Sequence, residues 1–125
     1  MNQQSQYAFY GSLRRGMENY RLYEKDLRYI RTVTLEGFKM FSLTDYPYVV
    51  RTGRSQDTIV VELFRVSNPQ TEQIIHEMEL DADYIFSEVE IEGIKFGIYL
   101  FEAPYPGDPE VGSGDWSFFK GSGDF

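Results

Sequence analysis

The chain contains no cysteine, which excludes thiol nucleophiles, disulfides and cysteine-bound zinc together. Histidine occurs once, as His76, so a histidine-based metal cluster is excluded as well. A single histidine beside Ile75 on a helix is more often structural than catalytic, because a proton shuttle needs a partner. Neither the spacing of a nucleophile elbow nor that of a P-loop is present. Apolar runs are short: none approaches the roughly 20 residues that a membrane-spanning helix requires. No basic-then-apolar leader opens the sequence. A cytoplasmic location without membrane attachment is the expectation.

The 125 residues correspond to one domain, 1–125, large enough to bury a core without disulfide or metal. Aromatic residues make up 17%, ten of them Tyr and ten Phe, and this favours strands and a packed interior over disorder. The net charge of −8 is unevenly distributed, with +3 over residues 1–40 and −11 over the rest. An acidic chain gains little from a phosphate backbone, so nucleic acid is not an expected partner. The basic first third can attract a small anion, although a mixed solvated helix face accounts for most of its charges.

Along the chain, Gln6–Tyr10 predicts a short strand that Gly11 ends, and Arg14–Asp26 a loop and helix. Tyr29–Phe38 follows as a strand with a weak point or bulge at Gly37, and Lys39–Leu43 as a further strand. Thr44–Pro47 is a turn, Arg51–Asp57 a hairpin connection, and Thr58–Val66 the clearest strand. The best helix signal comes next: Asn68 as cap, Pro69 at the first position, Glu72 in the first turn, and an Ile74, Ile75, Met78 stripe to about Glu79. Tyr84–Glu92 and Ile94–Glu102 predict a hairpin around Glu92-Gly93. The tail from Ala103 is rich in Pro and Gly and holds the single Trp. Its Ser113-Gly114-Asp115-Trp116 is echoed by Ser122-Gly123-Asp124-Phe125, too short an echo to define a repeat. The expected class is α+β, a small mixed, largely antiparallel β-barrel with flanking helices; closing the sheet would hide its edges.

Two segments can carry chemistry. In Tyr10-Gly11-Ser12-Leu13-Arg14-Arg15-Gly16, between a strand and a helix, unpaired backbone N–H groups can converge on an anion. Gly11 permits close approach to the main chain, and Ser12 adds a hydroxyl. Many such turns bind nothing. In Glu77-Met78-Glu79-Leu80-Asp81-Ala82-Asp83-Tyr84, four carboxylates crowd a helix C-terminus, where the helix dipole and like-charge repulsion favour the protonated form of any partly buried member. That tunes a glutamate towards proton transfer near neutral pH. A solvated acidic helix end is the commoner outcome, and spacing does not say whether Glu77 or Glu79 points inward. Asp81-Ala82-Asp83 lacks the glycine and spaced ligands of a calcium loop.

Taken together, these segments resemble the gamma-glutamylcyclotransferase-like (AIG2-like) family, and its bacterial branch in particular. The resemblance rests on Tyr10-Gly11-Ser12-Leu13 with Arg14-Arg15-Gly16 and Asn19, on Tyr46-Pro47, and on Val61-Glu62-Leu63-Phe64-Arg65-Val66. It rests further on Met78-Glu79 followed by Tyr84, and on Ser113-Gly114-Asp115-Trp116. The chain departs from the family in having Val61 where Gly is usual and Phe86 where Arg is usual. Leu80 and Asp83 occupy a stretch that usually carries a Gly. The resemblance implies a β-barrel fold with flanking helices. It implies cyclisation of a gamma-glutamyl group to 5-oxoproline with release of an amine or amino acid, without metal or organic cofactor. It assigns the acid–base role to Glu79, substrate binding to Tyr10, Gly11, Ser12 and Leu13, and a pocket-lining or hydrogen-bonding role to Tyr84, for which a core aromatic is the ordinary alternative. The family also contains members without the Glu, so a non-catalytic small-anion-binding or interaction domain on the same scaffold is the competing expectation.

Overall fold

The computed structural model describes residues 4–121; the Ser122–Phe125 echo lies outside them. Strands β1 (Gln6–Phe9), β2 (Leu27–Glu36), β5 (Thr58–Val66), β6 (Ile85–Ile91) and β7 (Ile94–Leu100) form one sheet in the order β2-β5-β1-β7-β6. Every pairing is antiparallel except β1 with β7, where Tyr7 lies opposite Gly97. Strands β3 (Phe38–Ser42) and β4 (Pro47–Arg51) form a separate two-stranded ribbon. The helices are α1 (Glu18–Tyr23), continued by a 3₁₀ turn over Glu24–Asp26, α2 (Pro69–Asp81), and α3 (Trp116–Gly121).

The short β1 sits at the centre of the sheet, and its alternation sends side chains into both cores. Ala8 joins Ile59, Val61, Leu63, Ile98 and Trp116 on the face covered by the ribbon and the tail. Tyr7 and Phe9 join Phe64, Val66, Tyr99 and Ile75 on the face covered by α2. A strand buried on both faces reads as a continuous apolar run, which is why Tyr7-Ala8-Phe9-Tyr10 shows no polar alternation. The helix α2 is stopped at its N-terminus as the sequence predicts: the Asn68 side chain accepts from the N–H of Gln70 at 2.9 Å, and Pro69 opens the helix.

The α+β, largely antiparallel class is the predicted one, but the sheet does not close into a barrel. Its outer strands β2 and β6 are not hydrogen-bonded to each other. Instead, Arg31 on β2 bridges to Glu92 in the β6–β7 turn, and the β3–β4 ribbon packs across the opening. Gly37 is a break between β2 and β3, not a bulge within one strand. Its φ of +88° turns the chain out of the sheet into the ribbon, and the register irregularity falls earlier, between Tyr29 and Arg31. Pro47, expected in a turn, and Arg51, expected in a hairpin connection, are instead the two ends of strand β4, with Pro47 to Val50 all buried. The aromatic tail is a strap on the core: Trp116 is buried and stacks on Phe119 with centroids 5.2 Å apart.

Candidate active site

Where β1 ends, the sheet, the α2 layer and the ribbon meet around a cavity of about 320 Å³. Its floor is the buried end of β1 with Tyr99 of β7. The Gly11–Leu13 loop and the end of α2 with Tyr84 also line it. Leu43, Tyr46 and Pro47, around the β3–β4 turn, complete the rim.

The loop is held from below. Ser12 O accepts from the N–H groups of Asn19 and Tyr20, both at 3.0 Å, and Asn19 Nδ2 donates to Ser12 Oγ at 2.7 Å. The N–H groups of Gly11, Ser12 and Leu13 donate to no acceptor among the described residues, so they stay available to a ligand. A Cβ on Gly11 would come within 2.9 Å of Pro47 Cγ, so only glycine lets the loop lie this close to the ribbon. Leu13 is core, and so is Tyr10, whose hydroxyl donates to Tyr99 O; both residues also line the cavity.

The basic residues after the loop do not serve as anion ligands. Arg14 is buried, with Nε 3.1 Å from Glu62 Oε2 and Nη1 2.7 Å from Asp115 Oδ1. Arg15 donates its backbone N–H to Glu62 Oε1 at 2.9 Å, and its guanidinium lies 3.6 Å over the Tyr29 ring. The loop is thereby clamped to β5 and to the Ser113–Trp116 turn.

Helix periodicity settles which glutamate turns inward. Thr71, Glu72 and Ile75 are the buried residues of α2, and the next positions on that stripe are Met78, Glu79 and Ala82. Glu79 is half-buried and lines the cavity, whereas Glu77 is exposed and accepts from Gln73 Nε2 at 2.9 Å. The stripe read from sequence included Ile74, which is 50% exposed; starting from Ile75 and stepping by four leads to Glu79. No hydrogen bond from the described residues reaches the Glu79 carboxylate. Burial alone raises its pKa from the ordinary 4.5 to about 7. Three phenols feel its charge: burial first, then nearby groups that include Glu79, hold the Tyr10, Tyr84 and Tyr99 hydroxyls in their protonated, donor form.

Tyr84 lines the wall, and its hydroxyl donates to Pro47 O at 2.5 Å, tying the end of α2 to the ribbon. His76 is also structural in its contacts, with Nδ1 2.8 Å from Tyr99 Oη. Sequence reading did not pick out Tyr99, Leu43 or Met78 as cavity residues. Each belongs to an ordinary apolar pattern, and only tertiary contact brings them together. Among the described residues no three His, Asp or Glu side chains converge as metal ligands. No helix among them is long and apolar enough to cross a membrane.

The family model described as gamma-glutamyl cyclotransferase, AIG2-like, matches residues 7–118. The chain belongs to this family. Among solved structures, the uncharacterized protein PH0828 from Pyrococcus horikoshii is similar with a TM-score of 0.76 and 25% identity over 92% of each chain. A uropathogenic E. coli-specific protein, c4763, has a TM-score of 0.74 and 20% identity over 94% of this chain and 95% of its own. An aig2-like protein from Mus musculus has a TM-score of 0.67 and 15% identity over 82% and 80%, and shares the fold. No curated protein matches the chain. The AIG2-like architecture accommodates the departures locally. Asp83, in the stretch where a glycine is usual, has φ +74°, and Phe86 packs edge-on against Tyr99 at 5.6 Å.

Proposed function

We propose that the protein is a gamma-glutamyl cyclotransferase that closes the gamma-glutamyl group of a small-molecule amide to 5-oxoproline and releases the amine. A cytoplasmic location belongs to the proposal, and the absence of cysteine is compatible with it. The observation that carries it is a partly dehydrated Glu79, without a hydrogen-bonding partner, lining the same cavity as the unspent amides of Gly11–Leu13.

The reaction asks for what this arrangement can supply. The α-ammonium must lose a proton before its nitrogen can attack the γ-carbonyl carbon, and Glu79 with a pKa of about 7 can accept it. As the ring forms, the C–N bond to the leaving group breaks, and Glu79 returns the proton to the departing nitrogen. The second proton of the attacking nitrogen ends on the released amine. The Gly11–Leu13 amides hold the α-carboxylate and fold the substrate towards the ring, where an intramolecular attack gains most of its rate. Tyr84, whose hydroxyl is tied to Pro47, contributes a fixed wall.

Purified protein incubated with gamma-glutamyl amines and dipeptides is expected to release 5-oxoproline. The rate should rise with pH through about 7 as Glu79 ionises. Glu79→Gln should cost about 10²–10⁴-fold in kcat, the usual range for a positioned acid–base group. Turnover of Glu79→Gln at the parental rate removes Glu79 from the mechanism, and ligand binding without any product favours a non-catalytic binder.

A further inference from the structure

Helix α2 turns three polar side chains towards the sheet. Glu72, His76 and Glu79 are spaced by four and then three residues, and so share one face of the helix. Under that face lie two phenols from neighbouring strands, Tyr7 of β1 and Tyr99 of β7, with ring centroids 6.2 Å apart and the rings stacked. The Tyr7 hydroxyl donates to Glu72, which also accepts from Ser5 Oγ at 2.9 Å. The Tyr99 hydroxyl lies 2.8 Å from His76 Nδ1. Glu72 and His76 are thus spent on holding the helix to the sheet, and Glu79 is left for the cavity.

The two halves of α2 are held unequally. The first half has the Asn68 cap, Thr71 Oγ1 donating to Asp26 Oδ2 at 2.7 Å, and the buried Glu72. Beyond Glu72, among the described residues, the His76–Tyr99 pair is the one side-chain hydrogen bond from α2 to the sheet. Ile75 is the last fully buried residue of the helix. Apolar contact is non-directional and tolerates a roll about the helix axis, whereas a hydrogen bond does not. A roll of about 30° carries a side-chain tip through about 3 Å at an outer helix radius of about 5–6 Å. That is enough to break the His76–Tyr99 bond and to bring the half-buried Glu79 out to water. Phe86, where the family usually carries an Arg, packs edge-on against the imidazole at 5.9 Å and offers it no rival hydrogen bond.

We infer that His76 is a positioning residue: by holding the Tyr99 hydroxyl it locks the rotation of α2 and keeps the Glu79 carboxyl in the cavity and out of bulk water. Its effect on turnover rests on the proposed cyclotransferase reading; its effect on the placement of Glu79 does not. Burial is what lifts the Glu79 pKa to about 7, so loosening the His76–Tyr99 pair lowers it.

Two substitutions separate the bond from the bulk of the ring. In His76→Asn the amide oxygen takes the place of Nδ1, since both are bonded to Cγ, and it can accept from the Tyr99 hydroxyl. His76→Leu cannot, although leucine is the better helix former. Neither side chain can carry charge, so the bond alone distinguishes them. The ionisation midpoint of Glu79 is read by carboxyl 13C NMR titration, which needs no substrate. His76→Leu should lower it from about 7 to below about 6, and His76→Asn should keep it within about 0.5 of the parent. In 5-oxoproline release, His76→Leu should lose about 10-fold or more in kcat with KM unchanged, and His76→Asn should stay within about 3-fold of the parent. If the parent releases no 5-oxoproline, the cyclotransferase reading falls, and the NMR midpoints decide the inference by themselves. An unchanged midpoint in His76→Leu, or an equal fall in both variants, overturns it. Should His76→Leu not fold, Tyr99→Phe removes the same bond from the β7 side: a midpoint below about 6 upholds the inference, and a parental one overturns it.

Discussion

Among the glutamates turned into the protein, Glu62 and Glu79 are treated in opposite ways. Glu62 on β5 is almost fully buried and is met by Arg14 Nε at 3.1 Å, by the Arg15 N–H at 2.9 Å and by Arg15 Nε at 3.2 Å. Glu79 on α2 is less buried but receives no such partner, and its pKa rises to about 7. The first carboxylate is compensated and fixes a loop. The second is left uncompensated on the wall of a cavity. A buried ion pair is poor evidence of net stabilisation, but an unpaired carboxylate kept at a cavity is a cost that function must explain.

That contrast can be broken at each end, beginning where the effect is largest. Arg14→Ala should destabilise the fold by about 3–5 kcal/mol, because it strips Glu62 and Asp115 of a buried partner. Urea unfolding would measure this, and a loss below about 1 kcal/mol would show that Arg15 alone compensates Glu62. Glu79→Gln should act in the opposite direction. A folded-state pKa near 7 against an ordinary 4.5 means that the folded protein holds the proton more tightly than the unfolded chain does. The stability present below about pH 4.5 is therefore lost as pH rises through 7, and it stays lost above. Glu79→Gln should thus be up to about 3 kcal/mol more stable than the parent at pH 8 and equal to it at pH 4, read from unfolding curves at both pH values. An inactive variant that is also the more stable at alkaline pH would mark Glu79 as a residue retained for function at the expense of the fold. The smallest effect concerns the backbone beside Glu79. Asp83→Gly should stabilise by about 0.5–1 kcal/mol by relieving φ +74°, seen as a modest rise in Tm.

Local signals fared well where one segment carried them. The strand read at Thr58–Val66 is β5 with the same bounds, and the helix read from Pro69 to about Glu79 runs to Asp81. The hairpin at Glu92-Gly93 joins β6 and β7. Losses came where distant contacts decide. Leu27 and Arg28 belong to β2 because they pair with Val66 and Arg65, not because of their own neighbours. Residues Tyr48, Val49 and Val50 form β4 because Phe41, Met40 and Lys39 lie opposite them. The open sheet has a similar cause, since the Gly37 turn diverts β3 into the ribbon. At the site, Gly11 and the carboxylate cluster were legible because glycine and crowded charge are locally unusual. The orientation of Glu79 was not fixed until Ile75, rather than Ile74, proved to be the inward residue.

The contact between Gly11 and Pro47 bears on how a ligand enters. Pro47 presses on the loop on one side, and its carbonyl receives the Tyr84 hydroxyl on the other, while one turn of chain further on Val49 O receives the Phe101 N–H at 3.0 Å. A ribbon pinned at these points has no free end with which to swing. The binding site is accordingly a socket rather than a jaw: its width is gauged before anything arrives, and selection among guests is made by what fits, with little motion left to reward a poor one.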